Sequence, residues 1–208
     1  GSATALYTRG KDMVGAMNLL GVDVAVGHWE FTYKAEEVLA NVKELKAEFL
    51  AQNIFVKEDS MMNGVESFDE DTGHAFKPYT IKKMGNARVA IIGQAFPYTT
   101  IANPQRFIPD WTFGIKEDSM QEIVNKIKAE EKPDAIIVLS HNGFDTDKKM
   151  AEVVSGIDFI MGGHTHDGVP EAVPVKNANG TTYVCNAGSN GKFLNVLDLD
   201  IQNGKIKD

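Results

Sequence analysis

Four of the five histidines in this 208-residue sequence follow short apolar runs. His28 comes after residues 22–26, His141 after 135–139, and His164 and His166 after 157–161. Imidazole is the commonest metal ligand among side chains. One such residue alone is more often a satisfied structural group. Four of them beyond apolar strands point to a metal site, because open α/β sheets bind ligands just past the carboxyl ends of their strands. Gly27, Gly143, Gly162 and Gly163 lie beside them, where a residue without a side chain lets the backbone turn tightly and approach an ion. Read as extended chain, His164-Thr165-His166 sends both imidazoles to one side, since side-chain direction alternates with period two. His74, in the polar stretch 72–75, is expected on the surface.

The elements that must position these residues read as an α/β alternation. Apolar spacing predicts helices over 11–20, stopped by Gly21, and over about 35–52, where Val38, Leu39, Val42, Leu45, Phe49 and Leu50 form one stripe. Strands are expected at 22–26, 53–56, 135–139, 157–161 and around Tyr183-Val184-Cys185, with a hairpin of 79–84 and 88–92 around Gly85-Asn86-Ala87. Residues 60–78 and 95–116 read as loops. The second is long and aromatic, which favours a functional segment over a disordered one. Ser119-Met120-Gln121-Glu122 has the form of a capping box opening a helix to about Glu131, and Asp147 that of a cap for a helix over 148–155. Residues 194–201 read as a strand running into an Asn203-Gly204 hairpin turn. Continuous apolar strands alternating with helices give a sheet covered by helices, in one domain.

Composition excludes several classes. Apolar residues make up 43% and charged residues 24%, a globular mix rather than a disordered one. The formal charge of −8, without a dense Lys/Arg stripe, argues against a nucleic-acid partner. No apolar run approaches the roughly 18–20 residues of a membrane span. The single cysteine, Cys185, cannot form an intrachain disulfide.

Gly27-x-x-Glu30-Phe31, Ser140-His141-x-Gly143 and Gly162-Gly163-His164-x-His166 resemble, in order and spacing, the later motifs of the calcineurin-like metallophosphoesterases, and more closely their 5′-nucleotidase branch. That pattern also takes in Asp147, Gly156-Ile157-Asp158, and the ending from Ala187-Gly188-Ser189 to Leu197-Asp198-Leu199. Gly27-His28-Trp29-Glu30-Phe31-Thr32-Tyr33 is similar to the signature of the SoxB thiosulfohydrolases of the sulfur-oxidising Sox system, as are residues 1–6 and 188–194. The likeness runs nearly end to end. It implies an α-β-β-α sandwich of two mixed sheets flanked by helices, with residues 1–208 a single, partial catalytic domain truncated at both ends. It also implies two divalent metal ions, manganese, with His28, His141 and His164 on one and His166 on the other. The implied location is periplasmic. The implied partner is the carrier SoxYZ, bearing a cysteine S-thiosulfonate on its flexible C-terminal arm. The family's Asp-x-His motif and bridging Asp are expected upstream of Gly1, and its substrate domain downstream, so residues 1–208 alone are expected to be inactive.

One departure from the phosphatase pattern carries chemical meaning. Phosphatases of the family read Gly-Asn-His-Glu, in which the His assists the leaving group. Here the Gly-to-Glu distance is unchanged, so His28 falls at the Asn and Trp29 at the catalytic His. An indole N–H donates hydrogen bonds and transfers no proton near neutrality. An ester phosphatase expels a strongly basic alkoxide and needs general-acid help. A sulfur leaving group is far less basic, with a thiol pKa of about 8.5. The implied reaction is therefore hydrolysis of an S–S bond: hydroxide generated between the two metals attacks the terminal sulfonate sulfur, releasing sulfate and a cysteine persulfide.

Weaker candidates surround this set. Glu30, Asn142 and Asp167 are placed to orient ligands, with a turn role equally open for Asp167. Arg106 suits a sulfonate by its planar fork, with a surface salt bridge as the alternative. Trp29 and Tyr33 could shape a narrow entrance or simply pack, and Cys185 reads as a structural thiol. Two other functions stay open: a 5′-nucleotidase or cyclic-nucleotide phosphodiesterase, which would carry Asn-His after Gly27, and a non-catalytic metal-binding or substrate-binding module.

Overall fold

The computed structural model describes residues 2–202 and 204–207. The chain begins with α1 (Ala3–Thr8) and α2 (Lys11–Leu20), the latter closed by Gly21 in the left-handed region at φ 70°. β1 (Val24–Ala25) follows, shorter than the apolar run predicts, and pairs in parallel with β2 (Glu48–Phe49). Between them lies α3 (Ala35–Glu44). The helix expected to reach residue 52 therefore stops early. Its last stripe residues, Phe49 and Leu50, belong to strand β2 and its continuation, where Leu50 is fully buried against the Gly93 backbone.

β3 (Ile54–Val56) and the short α4 (Glu58–Met62) lead into a turn that folds His74 inward, 6% exposed, with its ring tilted against Phe55 at 4.4 Å between centroids. The surface placement expected for His74 is thus corrected: its neighbour Ala75 donates its N–H to the Ile54 carbonyl, and that pairing draws the ring under β3. The hairpin of β4 (Tyr79–Met84) and β5 (Ala87–Gln94) forms as the sequence predicts. The segment read as one long loop contains α5 (Thr99–Ala102), a 3-10 turn at Gln105–Phe107, and β6 (Trp111–Phe113), which pairs antiparallel with β3.

α6 (Glu117–Glu130) starts before Ser119, so the capping box does not form. β7 (Ala135–Ser140), α7 (Phe144–Val153) and β8 (Phe159–Gly162) follow, then the hairpin of β9 (Val173–Asn177) and β10 (Gly180–Asn186). α7 begins at Phe144 behind Gly143, which places Asp147 inside the first turn rather than at a cap. Residues 194–200 are not a strand. Leu194 and Val196 are exposed, and only β11 (Ile201–Gln202) and β12 (Lys205–Ile206) pair, antiparallel. Asn203, central to the predicted turn, lies outside the described residues, as does Gly1.

Six strands form the main sheet, in the order β4-β5-β7-β8-β10-β9. Its four central strands run parallel, with an antiparallel strand at each edge. α6 and α7 bury Met120, Val124, Ile127, Met150 and Ala151 against Ile92, Val138, Ile160 and Val184. A second core of Phe31, Val38, Ile54, Ile108 and Trp111 sits under β3 and β6. The architecture is mixed α/β, with mixed sheets flanked by helices. No helix among the described residues is long and apolar enough to cross a membrane. The main sheet's parallel section matters for function because it aligns four carboxyl ends at one edge.

Candidate metal centre

Three of the central strands deliver candidate residues to that edge. β5 runs into Ala95-Phe96, β7 into His141 and β8 into Gly163-His164, and β1, from the small two-stranded sheet, leads through Gly27 to His28. His141 donates its N–H to the Gln94 carbonyl at 2.8 Å, and Phe96 donates its N–H to that of Gly27 at 3.0 Å, joining the strand ends. Gly27 is required here, since a Cβ on it would lie 2.8 Å from the Phe31 and Phe49 rings.

This convergence brings His28, His141 and His164 together. Their nearest ring nitrogens all lie within 4.8 Å of one another. Ring centroids are 4.2 Å apart for His28 and His141, 4.7 Å for His28 and His164, and 5.4 Å for His141 and His164. Phe96 packs on two of them, 4.8 Å from His28 and 4.2 Å from His164. His28 Nε2, His141 Nε2 and His164 Nδ1 are buried without a hydrogen-bond partner among the described residues. Buried polar atoms are normally paired, so three orphans in one place need an explanation. A divalent cation supplies it, because neutral imidazole nitrogens are borderline donors suited to such ions. Burial pushes His28 down to about 3 and His141 down to about 4, with the neighbouring imidazoles adding to both shifts, and burial also lowers His164. All three are neutral at pH 7, which is the ligating form.

His166 stands outside this cluster, on the exposed stretch after His164. The period-two argument for the pair is corrected. His164 and His166 both have left-handed backbones, φ 77° and 61°, and the Thr165 N–H turns back to the Gly163 carbonyl at 3.1 Å. A bent segment does not alternate its side chains as a strand does.

The remaining candidates separate. Trp29 is 49% exposed with its ring 4.9 Å from His28, at the start of a 3-10 turn over Trp29–Tyr33. Glu30 accepts the His28 N–H at 2.5 Å and so holds the ligand's backbone. Asn142 is buried, with its side chain donating to Asp147 at 3.1 Å and accepting from Gln94 at 2.9 Å. Its amide is committed inside the protein, so Asn142 positions the turn rather than reaching substrate. Arg106 is exposed, its guanidinium 5.1 Å from the Phe107 centroid, and forms no ion pair or hydrogen bond among the described residues. Asp167 accepts the Thr165 hydroxyl at 2.5 Å, a turn role. Cys185 directs its thiol at the Ile160 carbonyl within the sheet.

A cavity of about 470 Å³ lies beside the cluster, lined by Met13, Met17, Tyr33 and Phe49 as well as Trp29, His28 and His141. Burial raises the Tyr33 phenol, keeping it protonated. Sequence reasoning missed Phe96 and the buried carboxylate of Asp147. The strand-end rule that picked out the histidines would also have found Phe96, two residues past β5.

No protein-family model matches the chain. It superposes on the Thermus thermophilus sulfate thiohydrolase SoxB with a TM-score of 0.85 at 34% identity, over 100% of this chain and 35% of that one. A 5′-nucleotidase precursor, also from Thermus thermophilus, gives a TM-score of 0.74 at 26% identity, over 90% and 37% of the two chains. The fold is that of the 5′-nucleotidase branch of the metallophosphoesterases. Among curated relatives in this branch, protein UshA of Yersinia enterocolitica is 26% identical over 92% of the chain and 37% of its own length. The chain thus spans little more than a third of these 5′-nucleotidase-branch proteins.

Proposed function

We propose that this chain forms part of a metal-dependent hydrolase that cleaves the S–S bond of a cysteine S-thiosulfonate. Metal dependence is supported by the three unpaired imidazole nitrogens, and hydrolase chemistry by the similarity to the 5′-nucleotidase branch. The observation that carries the substrate is Trp29. Its indole stands half-exposed against His28, and the unchanged Gly27-to-Glu30 spacing aligns it with the proton-donating histidine of the family's phosphatases.

The chain's residues divide the work. His28, His141 and His164 would hold one divalent cation, and His166 would serve a second; manganese is the proposed metal. Bound there, such cations supply Lewis-acid activation of water near neutral pH. Glu30 and Asn142 hold the backbone turns that carry His28 and His141. Phe96 packs against the imidazoles and keeps solvent from that side. Trp29 offers an indole N–H and an apolar face but no proton, which suits a leaving group that departs as a persulfide anion. In the net reaction a water oxygen bonds to the sulfonate sulfur and the S–S bond breaks. The electron pair stays on the cysteine persulfide, and sulfate and protons leave. No oxidant or reductant is consumed. The proposed substrate carrier is the SoxYZ protein, and the proposed setting is the periplasm.

The test is a paired assay on the full-length, manganese-loaded protein: sulfate release from a carrier-bound cysteine S-thiosulfonate beside phosphate release from AMP. Sulfate without phosphate is the expected result. Phosphate without sulfate would establish a nucleotidase with an unusual ligand at His28.

A further inference from the structure

Asp147 is a carboxyl beside the metal centre with no solvent exposure, and nothing in the proposed chemistry uses it. Its Oδ1 accepts the Ser140 hydroxyl at 2.6 Å and the Asn142 amide at 3.1 Å, the two residues that flank His141. Its Oδ2 has no partner among the described residues and faces Gly162, two residues before His164; a Cβ on Gly162 would lie 2.5 Å from that oxygen. A second tie joins the same two turns, since Phe144 donates its N–H to the Thr165 hydroxyl at 3.0 Å.

The carboxyl also ends a string of buried side chains. Asn142 accepts from Gln94 at 2.9 Å, Gln94 accepts from Gln52 at 2.6 Å, and Gln94 donates to the Ile115 carbonyl at 3.0 Å. Gln52, Gln94, Ser140, Asn142 and Asp147 are all at least 97% buried. Burying so many polar groups is costly, and an apolar filling would serve packing alone as well or better. Burial pushes the Asp147 carboxyl up to about 7.

We propose that Asp147 is a positioning residue that locks the His141 turn against the His164 turn, and so sets the spacing of the imidazoles that hold the metal. This rests on the metal-centre reading above. Asp147 touches neither metal nor substrate; it acts through Ser140, Asn142 and Gly162.

The test is cobalt(II) titration of the full-length protein, read by affinity and by the visible absorption of the bound ion. Asp147→Asn keeps the Oδ1 acceptor and is expected to bind within about threefold of wild type. Asp147→Ala is expected to bind at least about tenfold more weakly, as removal of residues supporting metal ligands commonly does, with a changed band shape. Folded Asp147→Ala with wild-type affinity and spectrum would overturn the proposal while leaving the metal reading intact. If Asp147→Ala does not fold, Ser140→Ala decides: a several-fold loss with a changed spectrum supports the lock, and unchanged binding overturns it. Wild-type protein that binds no cobalt would sink the metal reading and the lock together.

Discussion

Asp147 and Gly162 compete for the same space: a single added methyl on Gly162 would come 2.5 Å from the Asp147 carboxyl and 3.1 Å from the Cys185 carbonyl. Neither neighbour can yield easily, because Asp147 is buried in α7 and Cys185 is paired within the sheet. Gly162→Ala is therefore expected to lower stability by about 1–3 kcal/mol, the usual cost of overpacking. Urea unfolding of the variant beside wild type measures this, and an unchanged midpoint would show that β8 moves freely.

Ligand deletion should separate two classes of histidine. Alanine at His28, His141 or His164 is expected to weaken cobalt binding at the three-imidazole site by more than about 100-fold, beyond the 10–100-fold typical of supporting residues. His166→Ala should leave that site's affinity within about tenfold, since His166 lies outside the cluster. Equal losses from all four would place His166 on the same ion.

Acid should act on the metal-free protein with opposite signs at two places. His28 and His141 fall from 6.5 to about 3 and about 4 on folding, so below pH 6.5 the unfolded chain binds more protons and stability drops as pH falls. Asp147 rises from 3.8 to about 7, so between those values the folded chain binds more protons and its contribution is lost as pH rises. Asp147→Asn removes the second effect only. Its melting temperature relative to wild type should be higher at pH 8 than at pH 4.5 by about 4 °C or more. A constant difference across that range would mean that the carboxyl titrates normally.

Trp29→His tests the leaving-group argument directly. Placing a proton donor at that position is expected to raise phosphate release from AMP at least about tenfold, a part of the roughly 10²–10⁴-fold that general acid–base catalysis typically contributes. Sulfate release should change less, because a persulfide departs without a proton. A variant that gains no phosphatase activity would show that the Trp29 position does not control substrate choice.

Much of the centre was legible because strand ends announce themselves. Apolar runs at 135–139 and 157–161 match β7 and β8 within a residue or two, and His141 and His164 after them do meet, while His166 stays outside. What failed had a physical pattern. The stripe over 35–52 continues a helical period into β2, but Phe49 is partly buried and Leu50 fully buried from strand geometry instead. Asp147 carried the letter of a helix cap, but the Gly143 backbone starts α7 and frees the carboxyl to turn inward. The His164-Thr165-His166 segment escapes the period-two rule because two non-glycine residues there adopt φ values that side chains disfavour. The string from Gln52 to Asp147 joins residues as many as 48 positions apart, and no local signal announces such contacts.

The three clustered histidines all sit beyond the last paired residues of their strands, outside both buried cores. Two proteins that share this framework carry the names sulfate thiohydrolase and 5′-nucleotidase precursor. Exchanges at the strand tips are expected to alter the chemistry there while the two apolar cores below keep their packing.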